Sequence, residues 1–195
     1  MQNSSQNKEI DFQFHVPDPI RDRCVPIRGQ LMVNGGFEDP MLFFGWQIDS
    51  TNDGVNQADA DEVHSGLKAA RLGFADLAGN LEGNGVLFQD AAGICPNNHY
   101  ELQFEMNGEI PRGNAPVDVR IIWLDEDKNF LGIGLQMTVT ASSLPDDDIG
   151  VWTTFQGITS ESPPGARFAR VRFEIHTTNP TTQHVHLDDV SLARI

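Results

Sequence analysis

The feature that most limits what this chain can fold into is a two-residue alternation of apolar and polar side chains. It recurs in short runs separated by turn clusters. Tyr100, Leu102, Phe104 and Met106 alternate with Glu101, Gln103, Glu105 and Asn107. Val117, Val119 and Ile121 alternate with Asp118 and Arg120, and Ala169, Val171, Phe173 and Ile175 with Phe168, Arg170, Arg172, Glu174 and His176. Each run reads as a strand with one dry and one wet face. Asn34-Gly35-Gly36, Asp53-Gly54, Gly83-Asn84-Gly85, Pro96-Asn97-Asn98, Pro111-Arg112-Gly113-Asn114 and Ser162-Pro163-Pro164-Gly165 separate the strands. The pattern predicts an all-β fold, an antiparallel jelly-roll β-sandwich. Ala69 to Gly79 is the one stretch resembling a helix, and it is short and carries Gly73. No long-period repeat is present, which excludes a propeller or solenoid.

The β texture begins at Leu31. Before it, residues 1–9 are polar and expected to be disordered. Ile10 to Val16 alternates as a short strand, and Pro17, Pro19 and Pro26 then forbid regular structure. Residues 1–30 therefore read as an N-terminal extended arm, partly disordered and partly laid along a domain formed by 31–195. A net charge of −15 repels phosphate backbones and argues against nucleic-acid partners. No apolar run is long enough to span a membrane as a helix. The first residues lack the apolar core of a signal peptide. A leader already removed, another export route and retention inside the cell all stay open. Cys24 and Cys95, if paired, would close a long loop and contribute about 4 kcal/mol; two unrelated buried thiols are the other reading.

The last strand holds a parity break. Val185 and Leu187 are odd, whereas Val190 and Leu192 are even. One face cannot bury both pairs without a one-residue slip. The slip predicts a β-bulge at Asp188-Asp189. Two adjacent acids on a bulge suit a cation, and they equally suit a solvated turn.

An ordered set of motifs resembles the carbohydrate-binding modules of families 4, 9 and 22, which share a galactose-binding-like jelly roll. Leu31-Met-Val-Asn-Gly-Gly-Phe-Glu38 resembles their opening strand, followed by Gly45-Trp46. Val63-His-Ser-Gly-Leu-Lys-Ala-Ala-Arg-Leu72 resembles the approach to their second long strand. Leu87-Phe-Gln89, Pro96-Asn-Asn-His-Tyr100, Trp152, Pro164-Gly165-Ala166 with Ala169-Arg-Val-Arg-Phe173, and Val185-His-Leu-Asp-Asp-Val-Ser-Leu192 follow in order. The resemblance covers about 31–195. It implies a structural Ca2+ site where the opening and closing strands meet. Glu38 and Asp188 would give carboxylates there, with backbone oxygens from around Gly36, Ser65 and Lys68. Six to eight hard oxygens in irregular geometry suit calcium.

Other constellations have plainer readings. Asp125-Glu-Asp-Lys-Asn129 lacks the glycine and glutamate of an EF-hand loop and reads as a hairpin turn. Asp59-Ala-Asp-Glu62 and Asp146-Asp-Asp148 read as solvated loops. His184-x-His186-x-Asp188 has metal-ligand spacing, but the bulge takes Asp188 out of register, and surface histidines on a wet face are expected. Glu101, Glu105 and Glu174 interleave with Arg120, Arg170 and Arg172 as charge ladders, not as a catalytic pair. No nucleophile elbow, P-loop or zinc-protease motif occurs, so no enzyme is expected.

Sugar binding needs flat rings flanked by polar groups. Trp46, Trp123 and Trp152 read as structural; of Phe43, Phe44 and Phe130, the loop pair Phe43 and Phe44 are the best exposed candidates. The wet face carrying Glu101, Gln103, Arg120 and Arg172 is able to hydrogen-bond hydroxyls but has few evident aromatics. The resulting expectation is a non-catalytic domain that binds a polysaccharide or cell-surface glycan, outside the cell or on its surface. The alternative is a structural surface or coat protein that assembles through protein contacts. In that reading the arm, with Phe12 and Phe14, adds as a strand to a neighbour and gives a homo-oligomer.

Overall fold

The computed structural model describes residues 29–50, 54–57, 62–73, 85–108, 115–145, 150–175 and 184–195. Residues 1–28 of the expected arm, with Cys24, and residues 59–61 and 146–148 of the acidic runs lie outside them. Ten strands form two five-stranded sheets: β1 (Gln47–Ser50), β2 (Val55–Gln57), β3 (Ala70–Gly73), β4 (Gly85–Ala92), β5 (Tyr100–Gly108), β6 (Val117–Leu124), β7 (Phe130–Val139), β8 (Thr153–Ile158), β9 (Phe168–Ile175) and β10 (His184–Arg194). The first sheet runs β1-β4-β9-β6-β7 and the second β2-β3-β10-β5-β8. Every named strand pair is antiparallel. This is the all-β jelly-roll sandwich that the alternation predicts.

The core follows the same parity. Leu102, Phe104 and Met106 of β5 face Val119, Ile121 and Trp123 of β6 and Val171, Phe173 and Ile175 of β9, all essentially inaccessible to solvent. Phe104 and Phe173 meet edge to face across the two sheets, with centroids 5.1 Å apart. Burying such rings contributes roughly 1.5–3 kcal/mol each, and their geometry adds to that. Trp46 and Trp123 are core residues, as expected. Two expectations need correction. Ala70–Gly73 is strand β3 and not the start of a helix, because Ala70 and Leu72 alternate with Arg71 and pair with β2 and β10; residues 74–79 of that stretch lie outside the described residues. Glu101 and Gln103 sit on β5 in the second sheet, whereas Arg120 and Arg172 belong to the first, so they do not share a face.

The expected bulge is present. Asp188 pairs with Glu105 and Ser191 with Gln103, so Asp189 and Val190 together oppose one residue of β5. Asp189 adopts φ 47°, a left-handed conformation that a short polar side chain tolerates. The slip follows Asp188, which therefore stays in register with the histidines, contrary to expectation.

The chain entering the domain is bonded to the strand that ends it. Gln30 bridges Ala193, Leu31 N–H donates to Leu192 O (2.8 Å), and Val190 N–H donates to Gly35 O (3.0 Å). The Gln30 side chain donates to Val190 O and accepts from Leu192 N–H. Gly35 is required by proximity: a Cβ there would fall 1.9 Å from Val190 O, which is backbone and cannot turn aside. Gly35→Ala is expected to lower stability by about 3 kcal/mol or more in urea unfolding. Gly132→Ala, where a Cβ meets nothing within 4 Å, is expected to change it by less than about 0.5 kcal/mol.

Candidate functional site

Three polar regions carry chemistry. The first is the outer face of the first sheet. Register places Gln47, Phe88, Arg172, Arg120 and Gln136 in one row across all five strands. The next row carries Asp49, Val86, Glu174, Asp118 and Thr138. Arg172 pairs closely with Glu174, which also attracts Arg120 at 3.9 Å. Asp118 accepts from Thr138 Oγ1 at 2.7 Å and pairs with Arg120 at 3.4 Å. Beside these rows Arg170 lies 4.5 Å over the Phe88 ring and holds Asp90 through two contacts at 2.7 and 3.1 Å. Lys128 reaches the same carboxylate at 2.8 Å. Burial alone would raise the Asp90 pKa, but the hydrogen bonds and charges of Arg170 and Lys128 outweigh it and hold the carboxyl below its usual range. The face is thus an ordered lattice of charges around a half-buried phenylalanine. A shallow pocket lined by Ala92, Gly93, Glu126, Arg167 and Phe168 lies at its end.

The structure separates the residues expected to bind a ligand. Arg120 and Arg172 are direct neighbours on this face. Gln103 is exposed on β5 in the other sheet. Phe43 and Phe44 lie in the turn before β1: Phe43 packs against buried Phe37, and Phe44 is exposed. Phe88 was missed. It stands inside Leu87-Phe-Gln89, where its outward parity was the available signal.

The second region is the junction of the opening and closing segments. Here Gly36, Glu38, Ser65, Lys68 and Asp188 come together. The turn from His64 to Lys68 wraps both carboxylates with backbone amides. Leu67 and Lys68 N–H donate to Glu38 Oε1 at 2.7 and 2.8 Å. His64 and Ser65 N–H donate to Asp188 Oδ2 at 3.0 and 3.1 Å. Asp189 accepts from Ser65 Oγ (2.9 Å) and lies 2.7 Å from His64 Nδ1. Gly66 adopts φ 65°, a left-handed conformation that favours glycine, and a Cβ there would press on the Glu38 side chain. Gly36 lies against Asp189 and Asp188. The donor types are those a hard cation takes, carboxylate oxygens at an irregular turn with Asp188 fully buried, and backbone amides already occupy Glu38 Oε1 and Asp188 Oδ2. The Lys68 ammonium is directed to Asp39 O at 2.6 Å.

The third region lies on the outer face of the second sheet. His184 and His186 are buried, not displayed on a wet face, because Glu62 and Trp152, distant in sequence, cover them. Trp152 lies 6.5 Å from the His186 ring and 5.6 Å from that of His64. Glu62, His184 and His186 form a cluster able to hold a metal ion. It contains neither Glu38 nor Asp188. The turn at Asp125–Asn129 is a hairpin, with Asp125 Oδ1 accepting from Asp127 and Asn129 N–H. Cys95 is buried and disulfide-bonded.

No protein-family model matches the chain, and no curated protein matches it. Solved structures match its fold. An enzymatically active domain of bacteriophage CBA120 tailspike protein 4 aligns with TM-score 0.63 and 15% identity, covering 85% of this chain; the chain spans only 21% of that one. TmCBM61, solved with β-1,4-galactotriose, aligns with TM-score 0.58 and 16% identity over 86% of this chain and 99% of that chain. A Stig cyclase, Fisc from Fischerella sp. TAU, aligns with TM-score 0.54 and 16% identity over 86% and 98%. Other carbohydrate-binding modules align similarly. At these identities the likeness is one of fold, a sandwich common to several such modules and to a cyclase.

Burial raises the Asp188 pKa from 3.8 to about 6 against the lowering effect of its amide bonds. The folded protein therefore holds this proton more tightly than the unfolded chain. The stability that follows is present below about pH 4 and lost as pH rises to about 6; above that the ionised carboxylate costs about 3 kcal/mol. In chelator, the unfolding free energy of the wild type minus that of Asp188→Asn is expected to fall by about that amount between pH 4 and pH 7. A difference that stays flat would show that Asp188 ionises without penalty.

Proposed function

We propose that the chain is a non-catalytic carbohydrate-binding domain and that a polysaccharide or cell-surface glycan lies on the outer face of the first sheet. The observation that carries this reading is the row of Gln47, Phe88, Arg172, Arg120 and Gln136. A flat apolar ring beside guanidinium and amide groups matches the two surfaces of a pyranose, one face of C–H bonds and a rim of hydroxyls. Salt bridges already hold the arginines, so little side-chain entropy is lost on binding. The fold match to several carbohydrate-binding modules supports the reading. TmCBM61 makes β-1,4-linked galactan the first glycan to test. The disulfide at Cys95 supports a location outside the cytoplasm.

Binding is tested on a glycan array and by affinity electrophoresis in soluble polysaccharides. The expected result is retardation by at least one glycan, weakened at least about tenfold in Phe88→Ala and in Arg172→Ala, with thermal unfolding of both variants unchanged to within a few degrees. Silence across soluble and insoluble glycans overturns the reading.

In the same proposal, calcium is held by Glu38 and Asp188 with carbonyls around Gly36, Ser65 and Lys68. It offsets the buried charge of Asp188 and stiffens the junction without touching the glycan. Millimolar calcium is expected to raise the melting temperature of chelator-treated protein by several degrees. Glu38→Gln is expected to abolish the rise.

A second reading, assembly through protein contacts, is favoured by β7. This edge strand exposes Phe130, Leu131 and Ile133, and such an edge invites another chain. A monomer by sedimentation at high concentration would remove it.

A further inference from the structure

The outer face of the second sheet carries a cluster that glycan binding does not use. His184 and His186 are two residues apart on β10, so both rings leave the sheet on one side. They are 4% and 1% exposed, and their rings meet edge to face at 5.1 Å. Glu62, from the segment before β3, brings Oε2 to 3.0 Å from His186 Nε2. One ligand atom from each of the three lies within 4.8 Å of the other two.

We propose that Glu62, His184 and His186 bind a transition-metal dication, zinc in the first instance. Two imidazole nitrogens and one carboxylate oxygen suit such an ion and exclude calcium and magnesium, which take oxygen. The spacing agrees. Two ligands about 2.0–2.1 Å from a tetrahedral zinc lie roughly 3.3 Å apart. His186 Nε2 and Glu62 Oε2, an ion pair at 3.0 Å, are close to that spacing. The buried Nδ1 of His186 lacks a hydrogen-bond partner, and leaving a polar ring so is costly without compensation. Asn107, the register partner of His186 on β5, is 3% exposed, and its amide oxygen is also unpartnered. Its place beside His186 in the register makes it a candidate for a fourth ligand. Arg71, the partner on β3, adds a positive charge that lowers affinity without removing a ligand. The Trp152 ring lies beside that of His186 at 6.5 Å, and the Glu62 side chain is partly exposed. The bound ion pins the segment at Glu62 onto β10.

The test uses the chain without a histidine tag, stripped with chelator and titrated with zinc chloride by calorimetry and with cobalt chloride by visible absorption. The expected result is one ion per chain, intense cobalt d–d bands and a raised melting temperature. Glu62→Gln and His184→Gln are each expected to weaken binding at least about tenfold. Because Glu62 is partly exposed, its variant is expected to keep the fold, checked by far-UV circular dichroism. Glu38→Gln and Phe88→Ala are expected to bind zinc as the wild type does, which separates this site from the calcium and glycan readings. Absence of saturable binding overturns the proposal, as does wild-type affinity in folded Glu62→Gln.

Discussion

The structure depends on the bonding between the chain entering the domain and the strand that leaves it. A sandwich of two open sheets has no covalent reason to close at its seam. Here the seam is held by backbone hydrogen bonds from Leu31 and Val190, by the two-sided amide of Gln30, and by the close approach that Gly35 permits. Gln89 extends the hold to the other sheet, accepting from Val33 N–H at 2.7 Å and donating to Val33 O at 2.8 Å. One short entering segment is therefore anchored to β10 in one sheet and β4 in the other. The carboxylates of Glu38 and Asp188 stand beside this seam, neutralised in part by amides of the turn at 64–68.

The bulge in β10 has the same origin. A regular strand would bury Val185 and Leu187 and turn Val190 and Leu192 outward. The extra residue at Asp189 restores the apolar parity and bends the strand where the opening segment crosses it. The cost is a left-handed aspartate and a fully buried neighbouring acid. β10 is also covered on both faces: its odd residues up to Leu187 enter the core, and its even residues His184, His186 and Asp188 lie under Glu62, Trp152 and the 64–68 turn.

Much of this was legible in the residues. Alternation in β5, β6 and β9 identified the strands and their buried faces, and the parity break located the bulge. What period two cannot give is the partner of a strand or the cover over its polar face. Gln103 and Arg120 have equivalent patterns, but long connections send their strands to different sheets. His184 and His186 look like surface residues until Glu62, more than a hundred positions earlier, folds over them. The parity of Phe88 marks it as outward, but parity alone does not tell a binding platform from a ring packed under a neighbouring guanidinium such as Arg170. Ala69 to Gly79 resembled a helix because Ala70, Arg71 and Leu72 do not contradict one; pairing with β2 and β10 decided the matter, an effect of tertiary context.

The geometry of the Gln30–Ala193 bridge has a mechanical consequence. The two segments are antiparallel and their outer ends point the same way. Tension applied between the flanks would peel this pair open bond by bond instead of shearing all its bonds together. Force would meet Leu31–Leu192 first and Gly35–Val190 next, before reaching the acids beside them. If the proposed cation cross-links those acids, it would act as a stop against unravelling, and the resistance to pulling would then follow cation supply more closely than the resistance to heat does.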